Sequence, residues 1–324
     1  MTAPRSRVSL AVGRVCLAAA CWGVAASIAK YGFDHGVPPT AMAEARVLIA
    51  LVVLLAVLAW RRPALLRAPR GCRLLLALYG CAIALANITY YVAIDRVPVG
   101  VAISIQYTAP VLVLGWTVLV ARRRVGRFAW VAAALTLAGA ILVSQALTGF
   151  GALDLVGLAG GFGAAVMLGT VLLMAEALGR RGVTAPTTVF WGFAGAVAFW
   201  SVVAPWWRWP VEAVARTPGA ALAVVGVGLV GTLLPFFLEV SALRILPAAT
   251  VGIALTTEPL FAAGFAWLLL GQALGTGQLA GGALVVAGVV LAHLSEAARR
   301  AEPVPAAAEP AVELRRQPQP PPAA

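Results

Sequence analysis

"AIDRVPVGVAISIQYTAP" (93–110) and "ALRILPAATVGIALTTEP" (242–259) are one pattern written twice, 149 residues apart. Ala93 meets Ala242, Pro98 meets Pro247, Thr108 meets Thr257 and Pro110 meets Pro259. The register continues without a gap to Gly126 with Gly275, and to Ala138-Gly139 with Ala287-Gly288. Toward the N-terminus a weaker match at offset 146 pairs Gly23 with Gly169 and Gly36-Val37 with Gly182-Val183. The unit that repeats is nearly half of the chain, so the content of one unit decides the architecture of the whole.

That content is apolar. The 324 residues are 62% hydrophobic and 11% charged, with a mean hydropathy of +0.94; a water-soluble domain carries about 25% charge to cover its surface. Runs of about 20 apolar residues, the length that crosses a bilayer as a helix, fall near 10–31, 40–60, 74–94, 97–120, 127–147, 152–178, 187–207, 219–243, 247–270 and 276–294. The runs do not alternate with period two, which favours helices over a barrel. The expected fold is therefore all-α and integral to the membrane, with ten transmembrane helices as two inverted five-helix repeats over 1–148 and 149–295. An odd number of crossings per repeat turns the second copy upside down. From Glu296 to Ala324 the composition shifts to Pro, Ala, Glu and Arg, which reads as a disordered cytoplasmic tail. The first run follows Arg5, Arg7 and Arg14 and has Ala25, Ala26 and Ser27 near its end, like a secretory signal; nine further spans make it a retained anchor.

The net charge of +12 would suit nucleic acid if it were clustered on a soluble face, but its distribution follows membrane topology. With a cytoplasmic N-terminus, the inner segments hold Arg5, Arg7 and Arg14, the five arginines of "RRPALLRAPRGCR" (61–73), the four of "ARRRVGR" (121–127), Arg180, Arg181, Arg244 and four in the tail. Only Lys30, Arg96, Arg208 and Arg216 fall outside, and Arg46 lies within a span. This positive-inside bias places both termini in the cytoplasm and Trp206, Trp207 and Trp209 in an outer aromatic belt. Anionic lipid heads account for the basic surface without a nucleic-acid partner. The inversion has an independent mark: "RRRVGR" (122–127) corresponds at offset 149 to "GQALGT" (271–276), four arginines against none. Inverted repeats are a device of secondary transporters that bind solute near the bilayer midplane.

These residues resemble the EamA-type carriers of the drug/metabolite transporter superfamily over residues 10–294. The look is closest to the threonine/homoserine exporter group in "LPFFLEVSALRILPAATVGIALTTEP" (234–259), and "NITYYVAIDRVPVGVAISIQYTAP" (87–110) is similar to the same group. The resemblance implies a carrier for a small metabolite.

Glu258 is an acid in hydrocarbon, where a charge costs roughly 2.5–3.5 kcal/mol. On a helix starting at Pro247 it lies about 16 Å deep, near the midplane. Pro259 removes a backbone donor and Pro110 kinks the symmetric place in span four. Both features fit a helix lining a polar path, to which Thr256 and Thr257 can add hydroxyls; a protonated Glu258 serving only as structural glue is the alternative. Glu239 lies lower in span eight. Copy one carries Tyr90 and Ala109 in place of these acids, and Asn87, Tyr90, Tyr91, Gln106 and Tyr107 populate the outer half, either as ligands or as packed interhelical hydrogen bonds. In span two, Glu44 reads as a helix-start carboxylate near water and Arg46, an arginine at a place the family also has one, as an anion-binding group. Arg46 with Glu258 or Glu239 would make a receptor for a zwitterion. Glu176 and Arg180 are spaced for an interfacial ion pair. Trp22 and Trp267 read as packing side chains or cavity walls, and Gly157xxxGly161 and Gly277xxxGly281 as helix-packing or dimer contacts.

Cys16, Cys21, Cys72 and Cys81 show no CxxC spacing and, with only His35 and His293 besides, suggest neither metal site nor cofactor. No GxxxxGK[ST] phosphate loop is present, so ATP does not drive the chain directly. The expectation is a multi-pass protein of the inner membrane, monomer or homodimer, that exports an amino acid or analogue by alternating access with coupling to protons through Glu258 or Glu239. The rivals are an uncoupled facilitator or channel and a membrane-embedded lipid-modifying enzyme; the enzyme fares worse because neither histidine has an acid pair beside it. The inverted topology has a direct check. A cysteine placed in the "ARRRVGR" turn is expected to be unreachable from outside by an impermeant thiol reagent, and one placed in "GQALGT" to react.

Overall fold

The computed structural model describes residues 4–97, 99–148, 154–203, 217–270 and 275–301. Every described element is helical: α1 Pro4–Asp34, α2 Pro39–Arg61, α3 Arg73–Arg96, α4 Val99–Gln106, α5 Ala109–Leu119, α6 Arg127–Val143, α7 Leu155–Arg180, α8 Ala185–Val203, α9 Pro218–Gly228, α10 Leu234–Ala242, α11 Ala248–Leu255, α12 Glu258–Leu270 and α13 Thr276–Ala301. Nine segments among the described residues are long and apolar enough to cross a bilayer. The tenth, α6, has 17 residues and reaches about 25 Å at 1.5 Å per residue, against a hydrocarbon core of about 30 Å.

The repeat is visible in the element boundaries. At offset 146, α1 ends at Asp34 where α7 ends at Arg180, and α2 begins at Pro39 where α8 begins at Ala185. Both first helices stop the same way. The Val37 N–H donates to Gly32 O and the Val183 N–H to Leu178 O, each at 3.0 Å, which requires the left-handed φ of +88° at Gly36 and +76° at Gly182. Glycine adopts that conformation at no steric cost. At offset 149, α4 and α11 correspond from end to end, α5 and α12 begin at Ala109 and Glu258, and α6 and α13 begin at Arg127 and Thr276.

Spans four and nine are thus not kinked rods. Each is two half-helices separated by a turn, at Tyr107–Thr108 and at Thr256–Thr257. Pro110 and Pro259 sit second in the following half, where a missing N–H leaves nothing unsatisfied. Glu258 therefore opens α12 instead of lying inside a continuous helix. Span eight is interrupted in another way, by a π turn over Leu229–Leu233. There the Leu234 N–H reaches back five residues to Leu229 O and the Thr232 hydroxyl takes Val227 O at 3.0 Å. The widened turn relieves the ring of Pro235 of its clash with the carbonyl four residues earlier. Its counterpart in copy one, α3, has Ala86 at that position and runs unbroken.

Small residues let the helices approach where the two repeats cross. A Cβ on Gly139 would lie 2.6 Å from Gly281 O, and one on Gly281 would lie 2.7 Å from Gly139 O, so α6 and α13 meet backbone to backbone. Gly288, the repeat partner of Gly139, packs in the same way against Ala132 O, 2.8 Å from its Cβ position. Gly80 and Gly195 do the same for α3 and α8. Gly157 and Gly161 press on Val97 and Ile105 inside the bundle, while Gly277 faces open space. The GxxxG pairs are accordingly internal contacts at three of their four positions.

Two expectations change. Helix α13 continues through Ala301, with Glu296 and Ala297 buried, because "SEAARRA" is rich in good helix formers and α13 packs on α1; the tail begins later than Glu296. Glu44, expected near water, is fully buried in α2, since neighbouring spans cover the start of that helix. Cys21 and Cys72 are buried, Cys16 and Cys81 partly so, and all four are free thiols. Pro98, Trp206, Trp207, Trp209, Arg208, Arg216 and the chain beyond 301 lie outside the described residues, as do the side chains of Lys30 and Tyr91. The glycine seam makes a testable demand. Gly139→Leu should destabilise the purified protein by about 1–3 kcal/mol through overpacking, read as a lowered melting temperature, whereas Gly115→Ala, whose methyl would meet nothing beyond its own helix within 4 Å, should not lower it.

Candidate functional site

The breaks in spans four and nine meet near the centre of the bundle, with α5 packed on α11. The Tyr107 hydroxyl, from the first break, donates to Glu258 Oε2 at 2.7 Å, from the second. A carboxylate at the first residue of α12 also faces the positive end of that helix's dipole. Thr256 and Thr257 are committed elsewhere, because their hydroxyls donate to Ile253 O at 2.6 Å and Ala254 O at 2.7 Å. The same two carbonyls accept the Thr256 and Thr257 backbone N–H groups at 3.2 Å, so the hydroxyls reinforce the turn. Thr257 is buried and does not line the cavity, a correction to its expected place there.

The cavity, of about 180 Å³, is bounded by both repeats. Copy one contributes Trp22 from α1, Arg46 from α2, Asn87 and Tyr90 from α3, and Gln106 and Tyr107 from the end of α4. Copy two contributes Leu168 and Val171 from α7, Phe236 and Glu239 from α10, Leu255 from α11 and Glu258 from α12. Of the residues singled out in the sequence, Glu258, Glu239, Arg46, Asn87, Tyr90 and Gln106 line this one space. Tyr91 lies on α3 with its side chain outside the described residues.

The polar groups are arranged with capacity to spare. Arg46 Nη2 donates to Asn87 Oδ1, and the Asn87 amide is held in turn by its own bond to Ile83 O at 2.8 Å. Asn87 thus braces the guanidinium while Arg46 Nε, though buried, has no protein partner. The Arg46 charge is also felt at Glu258. Glu239 is buried and its Oε1 has no protein partner. Arg46 and Glu239 therefore both line the cavity, and each holds a buried atom without a protein hydrogen bond, which is rare.

Aromatic rings form one wall. Phe236 meets Trp22 edge to face at a centroid distance of 5.6 Å and Phe193 at 5.3 Å. Trp22 is thus a cavity wall and a packing side chain at once, and Trp267 is exposed on the periphery. Tyr107, read in the sequence as a ligand or a packed hydrogen bond, corresponds at offset 149 to Thr256, and the relation between the breaks brings it beside Glu258. Phe236 is a contributor that sequence reading had not placed in the site; as an apolar residue in an apolar span it gave no signal.

Toward the end of the bundle that carries Arg180, Arg181 and Arg244, the cavity is latched. Arg244 donates to Ala175 O at 2.8 Å and to the Thr188 hydroxyl at 2.7 Å; burial pulls its pKa below the ordinary arginine value. Glu176 accepts from the Ala248 N–H at 3.0 Å, capping α11, and pairs with Arg180 as the spacing implied. These bonds tie α7, α8, α10 and α11 together. Around them Leu172, Leu178, Leu243, Leu246 and Val251 belong to the main apolar core. At the opposite end the buried apolar side chains divide, among the described residues, into two separate patches, one around Val97 and Val101 and one around Val37, Met42 and Val227. Among the described residues the apolar core is thus continuous at the arginine-rich end and divided at the other.

Comparison with known proteins agrees with this architecture. The chain matches the EamA-like transporter family over residues 10–145 and 155–294. It is similar to the threonine/homoserine exporter RhtA of Escherichia coli K12, with 30% identity over 269 residues covering 81% of this chain and 84% of that exporter. The same exporter from Salmonella typhimurium SL1344 is 29% identical over 255 residues, 77% of this chain and 79% of its own length. A solved crystal structure at 20% identity superposes with a TM-score of 0.73 over 91% of this chain and 99% of that one, a likeness of fold. Two inverted repeats of five helices closing around one cavity, and a match that spans both repeats, make this chain a member of the EamA-like transporter family.

Proposed function

We propose that the chain is a secondary carrier of the inner membrane that exports a small amino acid or analogue by alternating access, with both termini cytoplasmic and the structure in its outward-facing state. The observation that carries this reading is the shared cavity, in which Arg46 of one repeat and Glu258 and Glu239 of the other flank a space of about 180 Å³. Sites for drug-sized ligands measure roughly 300–1,000 Å³, so this one suits a smaller solute. A zwitterion supplies a carboxylate for the free donors of Arg46 and an ammonium group for the unpartnered oxygen of Glu239. The hydroxyls and amides of Tyr90, Gln106 and Asn87 remain for a polar side chain. Since the similar exporters are named for threonine and homoserine, these are the first solutes to try.

Alternation follows from the two ends of the bundle. Release of the Arg244 and Glu176 latch would open the cavity to the arginine-rich, cytoplasmic side while the two outer patches close on each other. Glu258 and Glu239 are the acids placed to exchange a proton with the path as its exposure changes, and Tyr107 releases Glu258 whenever the halves separate.

Cells overproducing the chain are expected to gain selective resistance to inhibitory concentrations of threonine, homoserine or a close analogue. Arg46→Ala should abolish it by leaving Asn87 and the solute carboxylate unmatched, and Glu258→Gln by removing the negative charge and the exchangeable proton. Tyr107→Phe, which removes one hydrogen bond to a carboxylate worth roughly 1.5–3 kcal/mol, should reduce export about tenfold or more. Unchanged resistance in all three variants would remove the site, and uptake into inverted vesicles that ignores an imposed pH gradient would remove proton coupling. The latch has its own readout. In a cysteine-free background, Arg244→Ala should increase the reactivity of a cysteine at Ala249 toward an impermeant reagent applied to inverted vesicles.

A further inference from the structure

A cavity larger than the central one lies elsewhere on the molecule. A groove of about 790 Å³ opens on the outer surface between α3 and α8, at their arginine-rich end. Its mouth carries Arg67, Arg70 and Arg73, and its floor is made by Trp191, Ala194 and Ala198. The shape has a local cause. α3 and α8 touch at Gly80 and Gly195, and the small side chains of α8 beyond that contact leave a shallow trough lined by Trp191, Ala194 and Ala198.

The arginines are held in place from below. They sit on the connector between α2 and α3, two short 3₁₀ turns over Pro63–Leu66 and Arg70–Cys72. The Thr187 hydroxyl donates to Leu65 O at 2.8 Å and the Trp191 indole N–H donates to Leu66 O at 3.1 Å, which pins the connector over α8. All three guanidinium groups are exposed. The segment 61–73 contains no acid, and none of the three pairs with a carboxylate among the described residues. Cations with no carboxylate partner among the described residues, at the arginine-rich end of α3 and α8 and over a trough lined by tryptophan and alanine, are complementary to one kind of molecule.

We propose that this groove is a binding site for an anionic phospholipid, with the phosphate on Arg67, Arg70 and Arg73 and one acyl chain along Trp191, Ala194 and Ala198. A neutral lipid could fill the trough but would leave the guanidinium groups unmatched. A free phosphate could meet the arginines but would leave the trough empty. The bound lipid would join the α2–α3 connector to α8, that is, one element of each repeat, on the side of the bundle that the Arg244 latch closes.

The test uses the full chain, purified in detergent and placed in nanodiscs of phosphatidylcholine alone or with phosphatidylglycerol of the same acyl chains. Native mass spectrometry of retained lipid and the melting temperature are the readouts. Phosphatidylglycerol is expected to be retained over phosphatidylcholine and to raise the melting temperature. Arg67→Gln combined with Arg70→Gln and Arg73→Gln should erase both effects while leaving the melting point in phosphatidylcholine unchanged. Ala198→Trp keeps every charge and blocks the trough, and should also erase the preference; it decides the matter if the triple variant fails to fold. Inorganic phosphate added to phosphatidylcholine discs should not reproduce the rise. Equal retention of the two lipids by the unaltered chain, survival of the preference in Ala198→Trp, or a full rise with phosphate alone would each overturn the proposal. None of these readouts depends on the transported solute.

Discussion

Hydrocarbon offers no hydrogen-bond partners, and this constraint governs the molecule more than any single contact. A helix broken at mid-membrane exposes carbonyls that water cannot reach, so a break survives only where the chain itself answers for it. At Thr256 and Thr257 the side chains bond back to Ile253 and Ala254, and at Thr108 the hydroxyl takes Ile105 O at 2.7 Å. Once the breaks are satisfied and enclosed, their free helix ends point into shared space, and a polar cavity exists where an unbroken bundle would have packed leucine. Glu258 and Tyr107 occupy that space because they are the residues at the breaks.

Repetition of much of the backbone with divergent side chains gives the cavity its polarity. The two copies share the breaks in spans four and nine and several helix ends, yet Glu258 stands where copy one has Ala109, and Glu239 where it has Tyr90. A perfectly symmetric pair would present the same chemistry to both faces of a solute. Here the acids come from one half and the arginine, with its asparagine brace, from the other. An amino acid's two charged ends differ in the same sense.

Most of the architecture was legible in the sequence because lipid imposes a long and uniform signal. Ten apolar runs, the offset of 149 and the exchange of "RRRVGR" for "GQALGT" led to the inverted repeats, and the starts at Arg127 and Thr276 were correct to the residue. The breaks were not legible as breaks. Tyr107–Thr108 and Thr256–Thr257 are apolar or self-bonding enough to keep hydropathy high, and the prolines beside them are equally consistent with a bend. Placing Arg46, Glu239 and Glu258 around one space needed tertiary information, since three different spans carry them. Glu44 shows the limit from the other side: position near a helix start suggested exposure, and only the neighbouring spans reveal that the side chain is buried. Thr257 looked like a ligand by location and is a backbone cap by geometry.

The π turn at Leu229–Leu233 carries a consequence for how span eight tolerates change. Such a turn holds a residue more than an α turn, and every side chain beyond it is rotated by roughly the 100° that one helical residue subtends. Phe236 and Glu239, just beyond the turn, stand in register with Asn87 and Tyr90 of copy one and line the same cavity. Substitution within the turn leaves the count intact; losing one residue there would restore ordinary winding and rotate one half of span eight against the other. The geometry of span eight is thus encoded in length as much as in composition, and a one-codon deletion is the lesion it is least built to absorb.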